Sequence, residues 1–313
     1  MKNKIVFIIP YFGHFNNYFQ FFLNSCKYND TINWLIYTDD KTEYEYPKNV
    51  KVVYTTFSQI KERIQSKFDF EITLDTPYKL CDYKVAYGYI FQEDIKKYDY
   101  WGYCDNDVIF GNIRKFLTDE VLKNNDKIGF LGHCTVFKNA EENNKTFMKE
   151  LNGEEIYKKV YTTNIGLAFD EEYHSSINDI FINYNKKCDF DEHEANIYTK
   201  SSDFKIVRYD FNKNKYVIEK KQSAFFVFNK GNLIRYYKDG RKEEYMYLHM
   251  QARKMKVNTS NYDFFKIIPN SFDDFDIKEL NNIKKVKIKH FNLHYFRHRG
   301  KNLITKIKKR VEG

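Results

Sequence analysis

The first 67 residues alternate short apolar runs with segments of helical spacing. The runs at 4–9, 33–37 and 50–54 have the length of buried strands, and helices are predicted at 16–26 and near 57–67. Repeated strand–helix alternation is typical of a mostly parallel sheet covered by helices. We therefore predict an α/β fold with a Rossmann-type, mostly parallel central sheet flanked by helices.

Later segments add a helix at 79–93, a buried strand at 128–137 and β-structure at 204–238. Within the last of these, Asn229-Lys230-Gly231-Asn232 separates two alternating runs, which is typical of a β-hairpin. We predict a catalytic domain over residues 1–255, followed by a basic C-terminal extension over 256–313.

The composition of the 313-residue chain fits one large α/β domain with appendages. Its 5 cysteines are scattered without metal-binding spacing, as in reduced cytosolic proteins. No apolar run approaches the ~18–20 residues that span a bilayer. The N-terminal apolar run ends at Pro10 and is too short for a signal-peptide core. We therefore expect a cytoplasmic protein.

The positive charge is concentrated at the C-terminal end. Residues 284–313 contain eleven Lys or Arg and one acid, whereas the whole chain has a formal net charge of +9. Within this tail, residues 302–311 have apolar side chains at helical spacing beside basic ones, as in a helix lying on a membrane surface. We expect the tail to bind an anionic membrane surface; the alternative is a solubilising tail or a helix docked on the domain. The apolar positions are Leu303, Ile304, Ile307 and Val311.

Asp105 and Asp107 stand one residue apart between two apolar runs. At the end of a strand both carboxylates would point to the same side, and Asn106 would point away. Two such carboxylates repel each other unless a cation lies between them, and a divalent metal with oxygen ligands fits that role. The pattern predicts a metal–nucleotide site, although an Asp-x-Asp triplet also arises by chance in loops and caps.

Further short motifs accompany these aspartates in a fixed order. Together they resemble GT-A-fold bacterial glycosyltransferases of a family associated with capsular and surface polysaccharide synthesis. The resemblance spans residues 10–254 and leaves out the basic tail. The matching segments are Pro10-Tyr11-Phe12-Gly13, Thr38-Asp39-Asp40, Lys79-Leu80-Cys81-Asp82-Tyr83-Lys84, Tyr100-Trp101-Gly102-Tyr103-Cys104-Asp105-Asn106-Asp107-Val108-Ile109-Phe110-Gly111, Gly132-His133-Cys134-Thr135, Phe169-Asp170-Glu171 and Tyr247-Leu248-His249-Met250-Gln251-Ala252-Arg253-Lys254.

The resemblance implies a nucleotide-sugar donor, expected to be UDP-linked, and a Mn²⁺ or Mg²⁺ ion that neutralises its diphosphate. Asp107 is the expected direct metal ligand, and Asp105 is expected to contact the ribose or a water molecule bound to the metal. His249 is the expected third ligand, an arrangement that favours Mn²⁺ over Mg²⁺. The alternative for His249 is a packed histidine without a metal.

Two basic residues follow His249 and are candidates for the donor phosphates. If that segment is helical, Arg253 shares a face with His249 and could reach phosphate oxygens. Lys254 is the second candidate. An ordinary solvated charge is an equally good interpretation for each.

Other residues are assigned to the donor and the sugar by the same resemblance. Tyr11 could stack on the base, and Asp39 could contact the uracil or ribose, unless it is only a helix cap. Lys84 is expected near the donor phosphates or sugar. Asp82 and His133 are expected to bind sugar.

The catalytic base is predicted at Asp170 and Glu171, which match the family's Asp-Glu pair. They could bind the acceptor or remove the proton of its hydroxyl group. The competing candidates are Asp189, Asp191 and Glu192, which could equally form a solvated face.

Two other functions compete with that of a glycosyltransferase. A two-metal nucleotidyltransferase or phosphodiesterase would need more acids near the pair, where only Asp99 is found. A nucleic-acid-binding protein would carry basic residues among aromatic ones, whereas residues 1–283 are nearly neutral.

We therefore predict a metal-dependent glycosyltransferase that moves a hexose of the galactose or glucose type to a lipid-linked or polysaccharide acceptor. The basic tail would hold it at the inner membrane face, and no nucleic-acid partner is expected.

Overall fold

The computed structural model describes residues 3–171, 175–211 and 213–311, with side chains up to residue 307. The chain folds into two compact units, each built from three separate segments. Unit 1 comprises Met1–Phe15, Asn29–Asn106 and Arg114–Glu192, and unit 2 comprises Asn16–Tyr28, Asp107–Ile113 and His193–Gly313. The predicted functional boundary between residues 255 and 256 stays a prediction.

The strands and helices are numbered in chain order. The strands are β1 (Ile5–Tyr11), β2 (Ile32–Thr38), β3 (Val50–Tyr54), β4 (Tyr100–Cys104), β5 (Val108–Phe110), β6 (Lys127–Ile128), β7 (Cys134–Lys138), β8 (Cys188–Asp189), β9 (Glu194–Asn196), β10 (Val207–Asp210), β11 (Lys215–Ile218), β12 (Ala224–Asn229), β13 (Asn232–Tyr237), β14 (Lys242–Glu244), β15 (Tyr247–His249), β16 (Lys256–Asn258), β17 (Phe264–Ile268) and β18 (Ser271–Asp273).

The helices are α1 (Phe19–Lys27), α2 (Phe57–Gln65), α3 (Leu80–Tyr83), α4 (Tyr87–Ile90), α5 (Gln92–Ile95), α6 (Asp119–Asn124), α7 (Glu141–Asn144), α8 (Ile156–Tyr161), α9 (Ile177–Asn183) and α10 (His294–Val311). The 3₁₀ turns lie at Pro77–Lys79, Lys84–Ala86, Ile113–Lys115, Thr146–Met148 and Ile277–Lys285.

Unit 1 is built around one sheet with strand order β3-β2-β1-β4-β7-β6-β8. β1 runs parallel to β2 and β4, and β2 runs parallel to β3, whereas β7 is antiparallel to both β4 and β6. The predicted α/β class with a mostly parallel central sheet is confirmed. Because β1, β2 and β4 are parallel, their carboxyl ends share one edge of the sheet, where ligands bind in open α/β sheets. Tyr11, Asp39 and Asp105 lie at or just beyond these ends.

Two expectations in unit 1 are corrected. The segment 128–137 is a hairpin of β6 and β7, because Gly129, with φ of 97°, turns the chain back. The segment 79–93 is helical but not one continuous helix, because 3₁₀ geometry at Lys84–Ala86 separates α3 from α4 and Phe91 separates α4 from α5. Within α4, Gly88 packs closely on Trp101. A Cβ at Gly88 would lie 2.2 Å from the indole ring.

Unit 2 contains a six-stranded sheet of order β14-β13-β12-β17-β18-β16 and a three-stranded sheet of order β5-β15-β9. The predicted hairpin is β12 and β13, joined by Lys230 and Gly231, whose φ values of 44° and 87° fit a type I′ turn. Helix α1 packs in the same unit through Phe21, whose ring centroid is 4.8 Å from Phe265 and 4.6 Å from Phe272.

Within the basic tail, His294–Val311 form helix α10, which includes the helix predicted at residues 302–311. Its apolar positions Leu303, Ile304 and Ile307 are 60%, 57% and 52% exposed. Residues 312 and 313 of the predicted tail lie outside the described part of the chain. Within that part, no helix combines the length and the apolar character needed to cross a membrane.

Candidate functional site

In unit 1, one ammonium group lies between two carboxylates. Lys84 Nζ is 2.8 Å from Asp105 Oδ1 and 3.3 Å from Asp170 Oδ2, and it donates a hydrogen bond of 2.8 Å to the carbonyl of Gly132. Asp105 directly follows β4, and its backbone N–H donates to the carbonyl of His133 at 3.0 Å. Lys84, Asp105 and Asp170 are called the Lys84 cluster below.

The charges within the Lys84 cluster depend on one another. Burial alone would lower the pKa of Lys84, but the charges of Asp105 and Asp170 raise it well above its usual range. Burial raises the pKa of Asp170 to about 6, against the opposing effect of Lys84. Lys84 is therefore a permanent cation at neutral pH, whereas Asp170 changes its charge close to neutral pH.

The loop before β7 closes tightly over Asp170. A Cβ at Gly132 would lie 2.3 Å from Asp170 Oδ2 and 2.8 Å from Glu171 Cγ, so a larger residue there would displace these side chains. Glu171 is half-buried, and the next residue of the loop, His133, is buried. The predicted catalytic base, Asp170 or Glu171, thus packs against Gly132, which directly precedes the predicted sugar ligand His133. Their roles stay predictions.

Asp82, a predicted sugar ligand, is tied to the loop that leads to Asp170. Its carboxylate accepts hydrogen bonds from the backbone N–H groups of Leu167 and Phe169 and pairs with Lys79 at 2.7 Å. Lys79 also donates to the carbonyls of Val160 and Ile165. These contacts order the chain before Asp170, and the predicted sugar contact stays a prediction.

Tyr11 and Asp39 lie at the same edge of the unit 1 sheet. The Tyr11 ring stacks on Phe15 at 4.7 Å, and its hydroxyl donates to the carbonyl of His14. Asp39 is exposed and accepts a hydrogen bond of 2.8 Å from the N–H of Gly13. Both side chains help to shape the loop after β1, and their contacts with the nucleotide stay predictions.

In unit 2, a carboxylate and an imidazole face each other. Asp107 Oδ1 lies 3.3 Å from His249 Nε2, because β5 and β15 pair with Val108 opposite His249. The other carboxylate oxygen of Asp107 accepts a hydrogen bond from the N–H of Ala252. Burial alone would raise the pKa of Asp107, but His249 and this N–H lower it below its usual value. Asp107 and His249 are called the Asp107–His249 pair.

The donor atoms of the Asp107–His249 pair fit a divalent metal. Two ligands that bind one octahedral ion at about 2.1 Å and at right angles are about 3.0 Å apart. The observed 3.3 Å between Asp107 Oδ1 and His249 Nε2 is close to that separation. A mixed set of carboxylate oxygen and imidazole nitrogen is suited to Mn²⁺.

The prediction that Asp105 and Asp107 point to the same side assumes that both lie in a strand, and neither does. β4 ends at Cys104, β5 begins at Val108, and residues 105–107 form a bend. The chain also passes from unit 1 to unit 2 between Asn106 and Asp107. Each aspartate is therefore held by the partners of its own unit.

The segment after His249 is a turn rather than the helix considered from the sequence. Gln251 and Ala252 have φ values of 55° and 51°, a conformation that ends a helix and costs non-glycine residues of order 1–3 kcal/mol each. Arg253 consequently does not share a helical face with His249. Its buried guanidinium donates to Asn270 Oδ1 and to the carbonyl of Ser201.

Lys254 is exposed, and the acids at 189–192 lie in and after the short strand β8. In that segment the N–H of Asp191 donates to Asp189 Oδ1 at 3.0 Å. The phosphate contacts predicted for Arg253 and Lys254 and the alternative base at Asp189, Asp191 or Glu192 stay predictions.

Sequence comparison places the chain in a family. It matches DUF6625, described as a family of unknown function, over residues 7–276. The chain belongs to DUF6625. The match covers the Lys84 cluster and the Asp107–His249 pair of this DUF6625 protein and ends before helix α10. A comparison with curated proteins finds no significant match.

Solved structures similar to this DUF6625 protein include three glycosyltransferases. The galactosyltransferase LgtC, in complex with donor and acceptor sugar analogues, has 14% identity and a TM-score of 0.35, covering 62% of this chain and 75% of LgtC. Mouse xyloside xylosyltransferase 1 has 8% identity and a TM-score of 0.38, covering 64% and 88%. The glycosyltransferase GlyE of Streptococcus pneumoniae TIGR4 has 10% identity and a TM-score of 0.31, covering 61% and 45%.

Two residues of the DUF6625 protein that support the site were not identified from its sequence. Lys79 lies within one of the motifs that carry the resemblance but has no predicted role, and Asn196 lies in a polar stretch without any motif. The partners of Asn196 are 53 and 55 positions away, at His249 and Gln251. A sequence signal for Lys79 existed, because its spacing of three residues from Asp82 is that of an ion pair on a helical turn.

Proposed function

We propose that this DUF6625 protein is a metal-dependent glycosyltransferase that moves a hexose from a nucleotide sugar, expected to be UDP-linked, to a saccharide acceptor. The observation that supports this most is the Asp107–His249 pair, in which a carboxylate oxygen and an imidazole nitrogen are close enough to bind one metal ion. Asp107 lies two positions after Asp105, which pairs with Lys84. A departing diphosphate can be stabilised by a metal ion and by positioned charges, and the chain provides residues suited to each.

The proposed metal ligands are Asp105, Asp107 and His249. Consecutive Cα atoms are about 3.8 Å apart, so the Cα atoms of Asp105 and Asp107 are at most about 7.6 Å apart. That chain distance allows both carboxylates to face one ion. These residues would hold Mn²⁺ or Mg²⁺, which would supply positive charge against the negative charge that develops on the departing nucleoside diphosphate.

The Lys84 cluster has a separate task in this proposal. Lys84 fixes Asp105 through Oδ1 and holds the buried Asp170 at 3.3 Å, so the positions of the two carboxylates are coupled. Asp170, with its pKa raised to about 6, can exchange a proton near neutral pH. We assign Asp170 and Glu171 to the acceptor or to removal of its proton. Tyr11 and Asp39 are assigned to the nucleotide.

The proposed acceptor is lipid-linked or polysaccharide, as in the synthesis of a bacterial capsule or other surface glycan. Helix α10 supports a position on the inner membrane face, because exposed apolar side chains alternate with basic ones along it. Residues 280–311 contain no acid. Such a helix binds anionic lipid by apolar burial and by about 1 kcal/mol per basic residue near the surface.

Isothermal titration with UDP, with and without Mn²⁺, tests the proposed function. We expect metal-dependent binding that Asp107→Asn weakens by about tenfold or more. Asp239→Asn is the matched control, because Asp239 is an exposed aspartate of unit 2 that pairs with Arg241 on the surface. Equal binding with and without metal, or no binding to UDP, GDP, CMP or dTDP, would contradict the proposal.

A further inference from the structure

We propose that Asn196 is a positioning residue that fixes the tautomer of His249 and thereby directs Nε2 of the imidazole toward the metal. This inference rests on the metal site of the proposed function. Asn196 ends β9, which runs parallel to β15, and it lies opposite His249 in the register of that pair. Its side chain is buried, so its polar atoms must find partners within the protein.

The hydrogen bonds of Asn196 determine which imidazole nitrogen carries the hydrogen. Asn196 Oδ1 accepts a hydrogen bond of 2.6 Å from Gln251 Nε2 and lies 3.1 Å from His249 Nδ1. An amide oxygen only accepts hydrogen bonds, so Nδ1 must be the donor. In the neutral imidazole, which carries one hydrogen, Nε2 then has the lone pair that a metal requires, whereas the imidazolium carries a hydrogen on Nε2 as well. That nitrogen is the one that faces Asp107.

Gln251 determines the orientation of the Asn196 amide. If the Asn196 amide were turned around, its NH₂ group would face the NH₂ group of Gln251, and the hydrogen bond between the two side chains would be lost. Gln251 itself sits in a left-handed conformation, with φ of 55°. This conformation is costly for a residue with a Cβ, and such costs are concentrated at functional sites.

The same turn also supports Asp107. Ala252, the next residue in left-handed conformation, directs its N–H to the Asp107 carboxylate. The N–H of Met250 donates to the backbone carbonyl of Asp107 at 3.0 Å. The turn at 250–252 thus orients both members of the Asp107–His249 pair, one directly and the other through Asn196. Hydrogen-bonded partners of this kind fix ring orientation in metal sites.

Three variants separate positioning from packing. Asn196→Leu keeps the size of the side chain and removes the acceptor, whereas Asn196→Asp keeps an acceptor for Nδ1–H. Asn143→Leu is the control, because Asn143 is a buried asparagine of unit 1 that donates to the carbonyls of Asp126 and Lys138. Thermal unfolding of each variant shows whether the fold is retained.

The first measurement is ¹⁵N NMR of the imidazole nitrogens in the metal-free protein at mildly alkaline pH, with His249 assigned by the loss of its signals in His249→Gln. We expect the wild type and Asn196→Asp to carry the hydrogen on Nδ1. Asn196→Leu should shift the population toward the Nε2–H form. A wild-type His249 with hydrogen on Nε2 and none on Nδ1, or an unchanged tautomer in Asn196→Leu, would overturn the inference.

The second measurement is the affinity for Mn²⁺ alone, by titration followed with electron paramagnetic resonance. We expect Asn196→Leu to bind about 10–100-fold more weakly than the wild type, and Asn196→Asp and Asn143→Leu to stay within about threefold. Equal affinities of wild type and Asn196→Leu would overturn the inference and leave the proposed function standing. A wild type with the expected tautomer but without Mn²⁺ binding would instead overturn the metal site and the proposed function with it.

Discussion

Lys79 Nζ lies 2.7 Å from Asp82 Oδ2 in an ion pair whose side chains are only 4% and 2% exposed. Around it, the ammonium donates to the carbonyls of Val160 and Ile165, and the carboxylate accepts from the N–H groups before Asp170. Both charges are thus compensated inside the protein. The pair fastens the loop that carries the predicted base to the segment that carries Lys84.

We expect Asp82→Asn to lower the free energy of unfolding by about 3–5 kcal/mol, because it leaves the buried Lys79 charge without its partner. Denaturation with urea measures this change. The control is Asp75→Asn, which removes the exposed partner of Lys61 and should cost about 0–1 kcal/mol. Similar losses in the two variants would show that burial of the Lys79–Asp82 pair is not what matters.

The charge of Asp170 predicts a pH dependence of donor turnover. Burial raises the pKa of its carboxyl to about 6, so Asp170 is ionised above that pH and protonated below it. If the carboxylate accepts a proton or holds Lys84, activity falls as the pH drops through about 6, by about tenfold per pH unit. The pH profile of kcat/KM measures this.

Two variants identify the group responsible for the loss of activity at acidic pH. Glu171→Gln should retain the inflection near the pKa of Asp170, at about 6, whereas Asp170→Asn should lose it together with most of the activity. A wild-type profile that is flat from about pH 5 to about pH 7 would exclude Asp170 as the titrating group.

We expect that replacing the buried Lys127 by an apolar residue stabilises the folded protein. The Lys127 ammonium is completely buried near the rings of Phe137 and Phe190 and donates to the carbonyl of Gly129. Burial lowers its pKa to about 7, against the opposing charges of Cys188 and Asp170. The unfolded chain, with an ordinary pKa near 10.4, therefore binds the proton more tightly. The resulting loss of stability is complete below about pH 7 and disappears as the pH rises toward about 10.4.

Lys127→Met should consequently raise the free energy of unfolding by about 2–4 kcal/mol at about pH 6, and by clearly less at about pH 9. Urea denaturation at the two pH values measures the difference. The exposed Lys123, on α6, provides the control Lys123→Met, which should change stability by no more than about 0.5 kcal/mol at either pH. A gain that grows with pH would contradict the assignment.

The exposed apolar side chains of α10 predict binding to anionic membranes. Replacing Leu303, Ile304 and Ile307 together by Ser should reduce co-sedimentation with phosphatidylglycerol vesicles by about tenfold or more, because each residue buries apolar area in the interface. Ile165→Ser, at an equally exposed position of unit 1, is the control and should leave binding unchanged. Unaltered sedimentation of the triple variant would refute the membrane role of the helix.

The parts of the fold that could be predicted are those determined by neighbouring residues. Strands β1–β3 follow from their apolar runs, and the β12–β13 hairpin follows from Lys230 and Gly231 between alternating runs. The 128–137 hairpin was missed because its residues form a mostly apolar run, in which Gly129, Gly132, His133 and Thr135 do not form a clear turn motif. The 79–93 helix was predicted as continuous because its 3₁₀ turns have no clear sequence signal.

The candidate site divides in the same way. Asp105, Asp107 and His249 lie in recognisable motifs, and the structure places Asp107 against His249. The contact of Lys84 with Asp170 joins residues 86 positions apart, and that of Asn196 with His249 joins residues 53 positions apart. Such contacts depend on strand register and on the path of loops, which local composition does not encode.

The interleaving of the two units has a consequence for synthesis of the protein on the ribosome. Helix α1 emerges early from the ribosome. Its Phe21 packs on Phe265 and Phe272, two residues of unit 2 that are made some 250 positions later. At about 5–20 residues per second, the ribosome needs roughly 12–50 s to supply them. Throughout that interval the aromatic face of α1 lacks its final cover, so this nine-residue helix presents apolar surface of the kind that chaperones bind.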